Sequence, residues 1–397
     1  MTTRLYYTDP YRTTFDAVVQ RALEHDGRPA VILDCTAFYP TSGGQPFDTG
    51  RLGTAAVEEV IDAGDEIIHV LSERLAEGTQ VAADVDWPRR FDHMQQHTGQ
   101  HVLSAAIDRL FDTRTLSFHL GTDTSTIDLA REMSQADIDR AVAEANRVVW
   151  DDRPVTIRFV SEEEAARLAL RKEPPRQGTL RLIEIADFDL SACGGTHVSR
   201  TGAIGLIAVT GSERVRGGSR LTFVCGGRAL SAFQSYCHAV AGTVRLLSVL
   251  PHELPSAVER LQADARDLRR TVSRLRETVA RHEAVRLLGE AVQIGDVRVA
   301  AASLDGWEAT GLKSMASTLT AGGGVVAVLT STVAPLFVAV GRSADVRLDA
   351  GRVLKELIAR FGGRGGGRPE LAQGGGLAAD GPTVVAAARE FIERERS

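Results

Sequence analysis

His97 and His101 stand four residues apart in Gln96-His97-Thr98-Gly99-Gln100-His101, and on a helix that spacing puts both imidazoles on one face, near enough to hold one ion. Far down the chain, Cys193-Gly194-Gly195-Thr196-His197 adds a thiolate and a further imidazole, donors that suit zinc and not magnesium or calcium. The two glycines lack Cβ atoms and let the chain fold back tightly enough to aim both side chains at one point. His97, His101, Cys193 and His197 thus form a candidate tetrad for Zn2+. Four protein ligands close a structural zinc site, whereas a catalytic zinc keeps a position for water, and the spacing alone does not choose between them. His93 extends the same helical stripe one turn earlier and is read as a half-exposed histidine outside the ligand set.

A helix must carry the first pair and a turn the second. From Phe91 the pattern of Met94, His97, His101 and Val102 to Leu110 fits a helix, and strands expected around Thr156 to Val160, Leu180 to Ile185 and Gly205 to Val209 bracket helical segments, giving an α+β middle region. Pro174-Pro175-Arg176-Gln177-Gly178 reads as a turn or loop. Before it, the first ninety or so residues alternate short apolar runs, such as Ala30 to Leu33 and Ile67 to Leu71, with Asp-Gly, Gly-Gly and Pro, the pattern of a small β-barrel-like domain. After it, Leu254, Val258, Leu261, Ala265, Leu268, Val272, Leu275 and Val279 recur in steps of four and three, a coiled-coil seam that reads either as a hairpin or helix lying on its own domain or as a homodimer contact. Beyond Gly289, strands at Val297 to Ala301, Val325 to Leu329 and Leu336 to Val340 and a helix at Gly351 to Arg360 indicate a C-terminal α/β domain. Its segment from Gly362 to Gly376 looks too glycine-dense for regular structure and is read as a binding loop; it lacks the phosphate-loop and dinucleotide spacings, so neither ATP nor NAD is implied. The expected domains are 1–90, 91–230, 231–290 and 291–397.

The 397 residues are 43% hydrophobic and 25% charged, enough for two or three domains with sizeable cores. Neither a run of transmembrane length nor a signal-peptide pattern is seen, so a cytoplasmic address is expected. Four irregularly spaced cysteines fit a reducing compartment, and Cys225 and Cys237 are read as small buried side chains. A net charge of −6 means that a nucleic-acid partner must be held by local patches: Arg89-Arg90, the run Arg214 to Arg220, and Arg360 to Arg368 with its glycines.

Together with the tetrad and the closing glycine motif, Ala37-Phe38-Tyr39-Pro40-Thr41-Ser42-Gly43-Gly44-Gln45 resembles the editing region of alanyl-tRNA synthetase and its freestanding relatives, the AlaX alanyl-tRNA editing proteins. The segments follow family order over nearly the whole chain, and the match is to the long form. The resemblance implies an α+β architecture with a zinc-containing editing domain, a coiled-coil linker and a C-terminal DHH-associated domain. It departs in two places: Thr41 and Ser42 stand where Glu-Gly is commoner, and Arg368 stands where lysine is frequent, a planar fork for a point charge.

What this family implies is trans-editing: hydrolysis of the ester joining serine, or glycine, to mischarged tRNA(Ala), with zinc polarising the carbonyl or lowering the pKa of a water to roughly 7. No aminoacylation activity is expected, since nothing before Leu5 could hold such a domain. Thr41, Ser42, Gly43, Gly44 and Gln45 are the expected substrate-binding segment, with Thr41, Gln45 and Gln96 as candidate catalytic residues and Asp48 as a further group to orient water. Thr41 is the first candidate partner for the serine hydroxyl, because a site built to bond that hydroxyl rejects alanine by leaving its own polar groups unpaired. Arg216, Arg220, Arg364 and Arg368 are the candidate tRNA contacts. An alternative from another class is a tRNA-binding module with a purely structural zinc, which metal removal would unfold. A DHH phosphoesterase is disfavoured, because no Asp-His-His triplet precedes the C-terminal domain.

Overall fold

The structure is a computed structural model that describes residues 1–171, 178–215, 217–332 and 334–396. The turn expected at Pro174 to Gln177 and the candidate Arg216 lie outside the described residues. The chain divides into two units, Met1–Thr243 and Val244–Ser397.

In the first unit, β1 (Thr3–Arg4) lies parallel to a short strand at Cys35–Thr36. β2 (Thr14–His25) turns Phe15, Ala17 and Val19 inward, and Asp26-Gly27, both at positive φ, closes a hairpin to β3 (Arg28–Leu33), the geometry that two-residue hairpins prefer. After β4 (Cys35–Thr36) come β5 (Gly50–Leu52), β6 (Ala55–Asp62), β7 (Ile67–Leu71) and β8 (Gln80–Val85). They close with β2 and β3 into a barrel of order β2-β3-β7-β6-β5-β8, so the expected all-β start is a barrel with no open edge.

α1 (Trp87–Phe111) starts where the Asp86 carboxylate accepts the Arg89 N–H at 3.3 Å and stops at Asp112 with φ 48°. It is buried almost continuously from Met94 to Ile107 because elements pack around it on several sides. The elements that follow are β9 (Thr115–Leu120), β10 (Ser125–Leu129), α2 (Gln135–Trp150), β11 (Val155–Val160), the single turn α3 (Glu162–Ala165), β12 (Leu180–Ile185), β13 (Asp189–Ala192), β14 (Ile207–Val215) and β15 (Gly218–Cys225), of which α2, β9, β10, β13 and β15 pack on α1 together with the turn at Thr201–Ile204. The strands form two antiparallel sheets, β14-β15-β10-β9 and β11-β12-β13. Gly99 lets α1 approach the end of β15: a Cβ there would lie 2.3 Å from Cys225 Sγ. α4 (Gly226–Leu247) follows.

In the second unit, α5 (Leu254–Gly289) precedes a six-stranded sheet of order β16-β17-β18-β19-β21-β20. Its elements are β16 (Val292–Ile294), β17 (Val297–Leu304), α6 (Ala309–Leu319), β18 (Val325–Ser331), β19 (Phe337–Arg342), α7 (Ala350–Phe361), β20 (Arg364–Arg368), β21 (Leu371–Gly375) and α8 (Gly381–Arg396). The glycine-rich segment is therefore not an irregular loop; it is a paired hairpin at the sheet edge. Its glycines serve close approach: a Cβ on Gly365 would lie 2.5 Å from Gln373 O, and one on Gly367 would lie 2.4 Å from Leu371 O. The heptad residues Val258, Leu261, Leu268, Val272, Leu275 and Val279 are exposed, and α5 packs instead through Ala280, Ala284 and Leu287 into the cluster formed with Leu312, Met315 and Ala316 of α6. Among the described residues, no helix is long and apolar enough to cross a membrane.

Candidate metal centre

The two halves of the tetrad meet where α1 passes the turn after β13. His97, His101 and His197 are at most 4% exposed, Cys193 is half-buried, and the four ligand atoms all lie within 4.8 Å of one another. Cys193 Sγ stands 3.3 Å from Nε2 of both His97 and His197. Ligands about 2.0–2.3 Å from a tetrahedral zinc are about 3.3–3.8 Å apart, so these spacings suit that ion.

Each imidazole is held through its other nitrogen, by a different chemical group. His97 Nδ1 donates to the Gln45 amide oxygen at 2.9 Å, His101 Nδ1 to Asp189 Oδ2 at 3.0 Å, and His197 Nδ1 to the Thr98 hydroxyl oxygen at 3.2 Å. Those acceptors are themselves fixed. Gln45 Oε1 also accepts the Thr196 N–H while its Nε2 donates to Thr196 Oγ1 at 2.8 Å; Asp189 accepts from Arg171 and Ser191; the Thr98 hydroxyl donates to Met94 O, which leaves its oxygen free to accept. With Nδ1 the donor in all three rings, the Nε2 lone pairs face the common centre.

The electrostatics agree. Burial alone would push the Cys193 thiol up, but the imidazoles of His97 and His197 outweigh it and hold the thiol well below its ordinary range. Burial drives His197 down to about 3. At His101 burial pulls the same way, and the Asp189 hydrogen bond overcomes it and raises the imidazole. Asp189 is lowered: its bonds to His101 and Arg171 prevail over burial.

Gly194 and Gly195 differ in role. Neither has a positive φ, so the turn does not need glycine for its backbone conformation. A Cβ on Gly195 would sit 2.2 Å from His97 Cε1, whereas one on Gly194 would meet nothing closer than Tyr7 Oη at 3.9 Å. The turn is clamped by Arg181 of β12, whose Nη1 donates to the carbonyls of Cys193 and Gly195 at 2.6 and 2.9 Å and whose Nε donates to Tyr7 O.

Of the expected substrate segment, Gln45 reaches the centre as support for His97. Gly44 packs on Phe118, whose ring lies 5.7 Å from that of His97. Ser42 bridges to Gln45 through paired backbone bonds, and Gly43 is exposed at φ 53°. Thr41 is exposed, with its N–H on Val60 O; among the described residues its hydroxyl makes no hydrogen bond. Gln96 faces away, bonded through both amide atoms to the backbone of Cys225. Asp48 is buried against the Arg90 guanidinium and accepts the Tyr39 N–H, so it braces the barrel to α1. His93 is 2% exposed, not half-exposed, because the packing around α1 covers that face too; burial lowers it to about 4, and among the described residues its Nδ1 has no hydrogen-bond partner. Cys225 is buried as expected, but Cys237 is exposed on α4.

The candidate tRNA contacts differ from the tetrad in their surroundings. Arg220 is paired with Asp128 at 2.6 Å. Arg364 and Arg368 sit at the two ends of exposed β20, and among the described residues neither makes an ion pair. Asp189, Arg171, Thr98 and Arg181 were not singled out by sequence reasoning. Only Thr98 carried a local signal, as the residue between the two helical ligands.

Residues 180–221 match the family model of the threonyl and alanyl tRNA synthetase second additional domain, residues 296–394 that of the DHHA1 domain, and residues 11–89 that of the tRNA synthetases class II (A). The chain is 31% identical over 387 residues to the alanyl-tRNA editing protein AlaX-L of Pyrococcus horikoshii, with 94% of each chain covered. It is 34% identical over 389 residues to the alanine–tRNA ligase of Pyrococcus furiosus and 35% identical over 396 residues to that of Natronomonas pharaonis. Each of those alignments covers 94% of this chain and 42% of the ligase.

Proposed function

The chain belongs to the AlaX-L family of alanyl-tRNA editing proteins, and from that premise we propose that it deacylates mischarged tRNA(Ala), releasing serine or glycine by zinc-dependent ester hydrolysis without charging tRNA itself. The observation that carries this reading is the tetrad, with three oriented Nε2 atoms and one thiolate converging at a point beside the segment that ends in Gly44 and Gln45.

When bound, zinc supplies Lewis acidity to the ester carbonyl and to the attacking water. The protein's own groups do the rest. Gln45, Asp189 and Thr98 fix the imidazole tautomers, so the donor set is preformed and little reorganisation accompanies reaction. Arg181 ties the Cys193 to Gly195 backbone to β12 and to Tyr7 O. The segment from Thr41 to Gln45 borders the centre through Gly44 and Gln45 and is assigned to the aminoacyl group, with the unengaged Thr41 hydroxyl as partner for the serine side chain. Arg364 and Arg368 are assigned to tRNA phosphates, with Arg216 and Arg220 as further contacts. The exposed heptad residues of α5 are assigned to a homodimer seam.

The test uses seryl-, glycyl- and alanyl-tRNA(Ala), with and without chelator. Expected is fast release of serine or glycine, slow release of alanine, and loss of activity in chelator with the circular dichroism spectrum intact. Unfolding on metal removal would assign the zinc to structure and overturn the hydrolytic reading.

A further inference from the structure

α5 presents two unlike surfaces, an apolar heptad face and a face rich in arginine. Between Val258 and Val279 no residue of the helix is buried, a length of about 32 Å at 1.5 Å per residue. Along this stretch, Arg260, Arg266, Arg269, Arg270, Arg274 and Arg276 are all exposed. The acidic residues of the same stretch are Glu259, Asp264, Asp267 and Glu277.

Phase sorts these charges. Successive residues turn by about 100°, so positions four apart drift by about 40°, and Arg266, Arg270 and Arg274 form one row a turn apart, with Glu259 and Glu277 at the same phase beyond its two ends. Leu261, Leu268 and Leu275 lie on the other side of the helix. The body of the unit meets α5 further along, at Ala280, Ala284 and Leu287, so it leaves this row uncovered. Arg270 makes a 3.5 Å contact with Asp267, with both side chains more than 70% exposed, a pair worth little in water. Arg276 is turned towards Glu308 at 3.6 Å. Arg260, Arg266, Arg269 and Arg274 make no ion pair among the described residues.

We propose that this row is a docking surface for the phosphodiester backbone of tRNA, tracking one strand with Arg266, Arg270 and Arg274 while the opposite face stays free for a protein contact. The inference rests on the tRNA reading above. Its chemistry is charge complementarity in a chain of net charge −6, where a polyanion must be met by a local basic row and not by the molecule's overall field. Such a row positions the tRNA and reads no sequence.

The test is a salt series of equilibrium binding of uncharged tRNA(Ala) to the full chain, by fluorescence anisotropy between roughly 50 and 200 mM salt. R266A/R270A/R274A keeps the helix, since alanine is its best former, and circular dichroism checks it. Expected is Kd raised about tenfold or more and a log K against log salt slope shallower by about 2 to 3, with R266K/R270K/R274K keeping the wild-type slope. An unchanged slope in the alanine variant overturns the proposal, whatever happens to Kd, and assigns the row to another partner such as an acidic protein. If wild type shows the arginine-dependent slope but releases no amino acid from any ester, the hydrolytic reading fails and this surface stands.

Discussion

Gly195→Ala isolates how closely the ligand turn must approach α1. The new methyl carbon would stand 2.2 Å from His97 Cε1, 2.4 Å from Nδ1 and 3.0 Å from Gln45 Oε1. Ordinary contact begins near 3.4 Å, so the ring or the turn must retreat by about 1 Å. The ring cannot swing aside cheaply, because Gln45 holds Nδ1 and α1 is packed on several sides. A displacement of that size breaks the 2.9 Å bond that orients His97. Losing a group that supports a ligand typically costs about 10- to 100-fold in metal affinity, and a 1 Å misplacement about 100-fold in rate. Gly194→Ala is the control: its methyl meets nothing within 3.9 Å, and its φ is not in the left-handed region. The assay is zinc affinity by competition with a chelating dye, read beside deacylation of seryl-tRNA(Ala), with thermal melts of both metal-free variants to show that they fold. Gly194→Ala should match wild type in both measurements. Equal zinc affinity and rate in the two variants would refute the close-approach reasoning.

Other expectations follow from the groups behind the ligands. Asp189→Asn removes the charge that orients His101 and should weaken zinc about 10- to 100-fold in the same competition assay, with the fold retained. Arg181→Met frees the Cys193 and Gly195 carbonyls and should lower zinc affinity, and Arg181→Lys, with one donor point in place of a fork, should recover it only in part. His69 and His93 are each lowered to about 4 by burial. The unfolded chain takes up a proton on each below about 6.5, so their contribution is complete above that pH and is lost as pH falls towards 4, by about 1.4 kcal/mol per unit per site. Urea midpoints should therefore drop from pH 7 to pH 5, and drop less in His69→Gln. Thr41→Val, at an exposed site, should leave stability within about 0.5 kcal/mol and reduce the preference for seryl over alanyl esters; unchanged discrimination removes Thr41 from that role.

The clustering of His97, His101, Cys193 and His197 was legible because its pattern is local, with histidines four apart and a cysteine and histidine around two glycines. The barrel was legible in alternation and in Asp26-Gly27, and the strand at Ile67–Leu71 occupies the expected residues. What escaped the sequence was determined by distant neighbours. Asp189 supports His101 from 88 residues away and Gln45 supports His97 from 52 away, and nothing in the local pattern at Asp189 marks it. Glycine density misled at Arg364–Arg368, since flexibility and close strand approach call for the same residue. Burial misled at His93 and Cys237, where α1 is covered all round and α4 is almost uncovered.

Thr98 lies between His97 and His101 on α1 yet serves His197, so one rod carries two members of the tetrad and the prop of a third. Axial rotation of that rod is consequently the coordinate along which the whole centre assembles or fails. A single residue inserted before Gln96 would swing all three by about 100° at once, while Cys193, fastened by Arg181 to the sheet, would stay where it is.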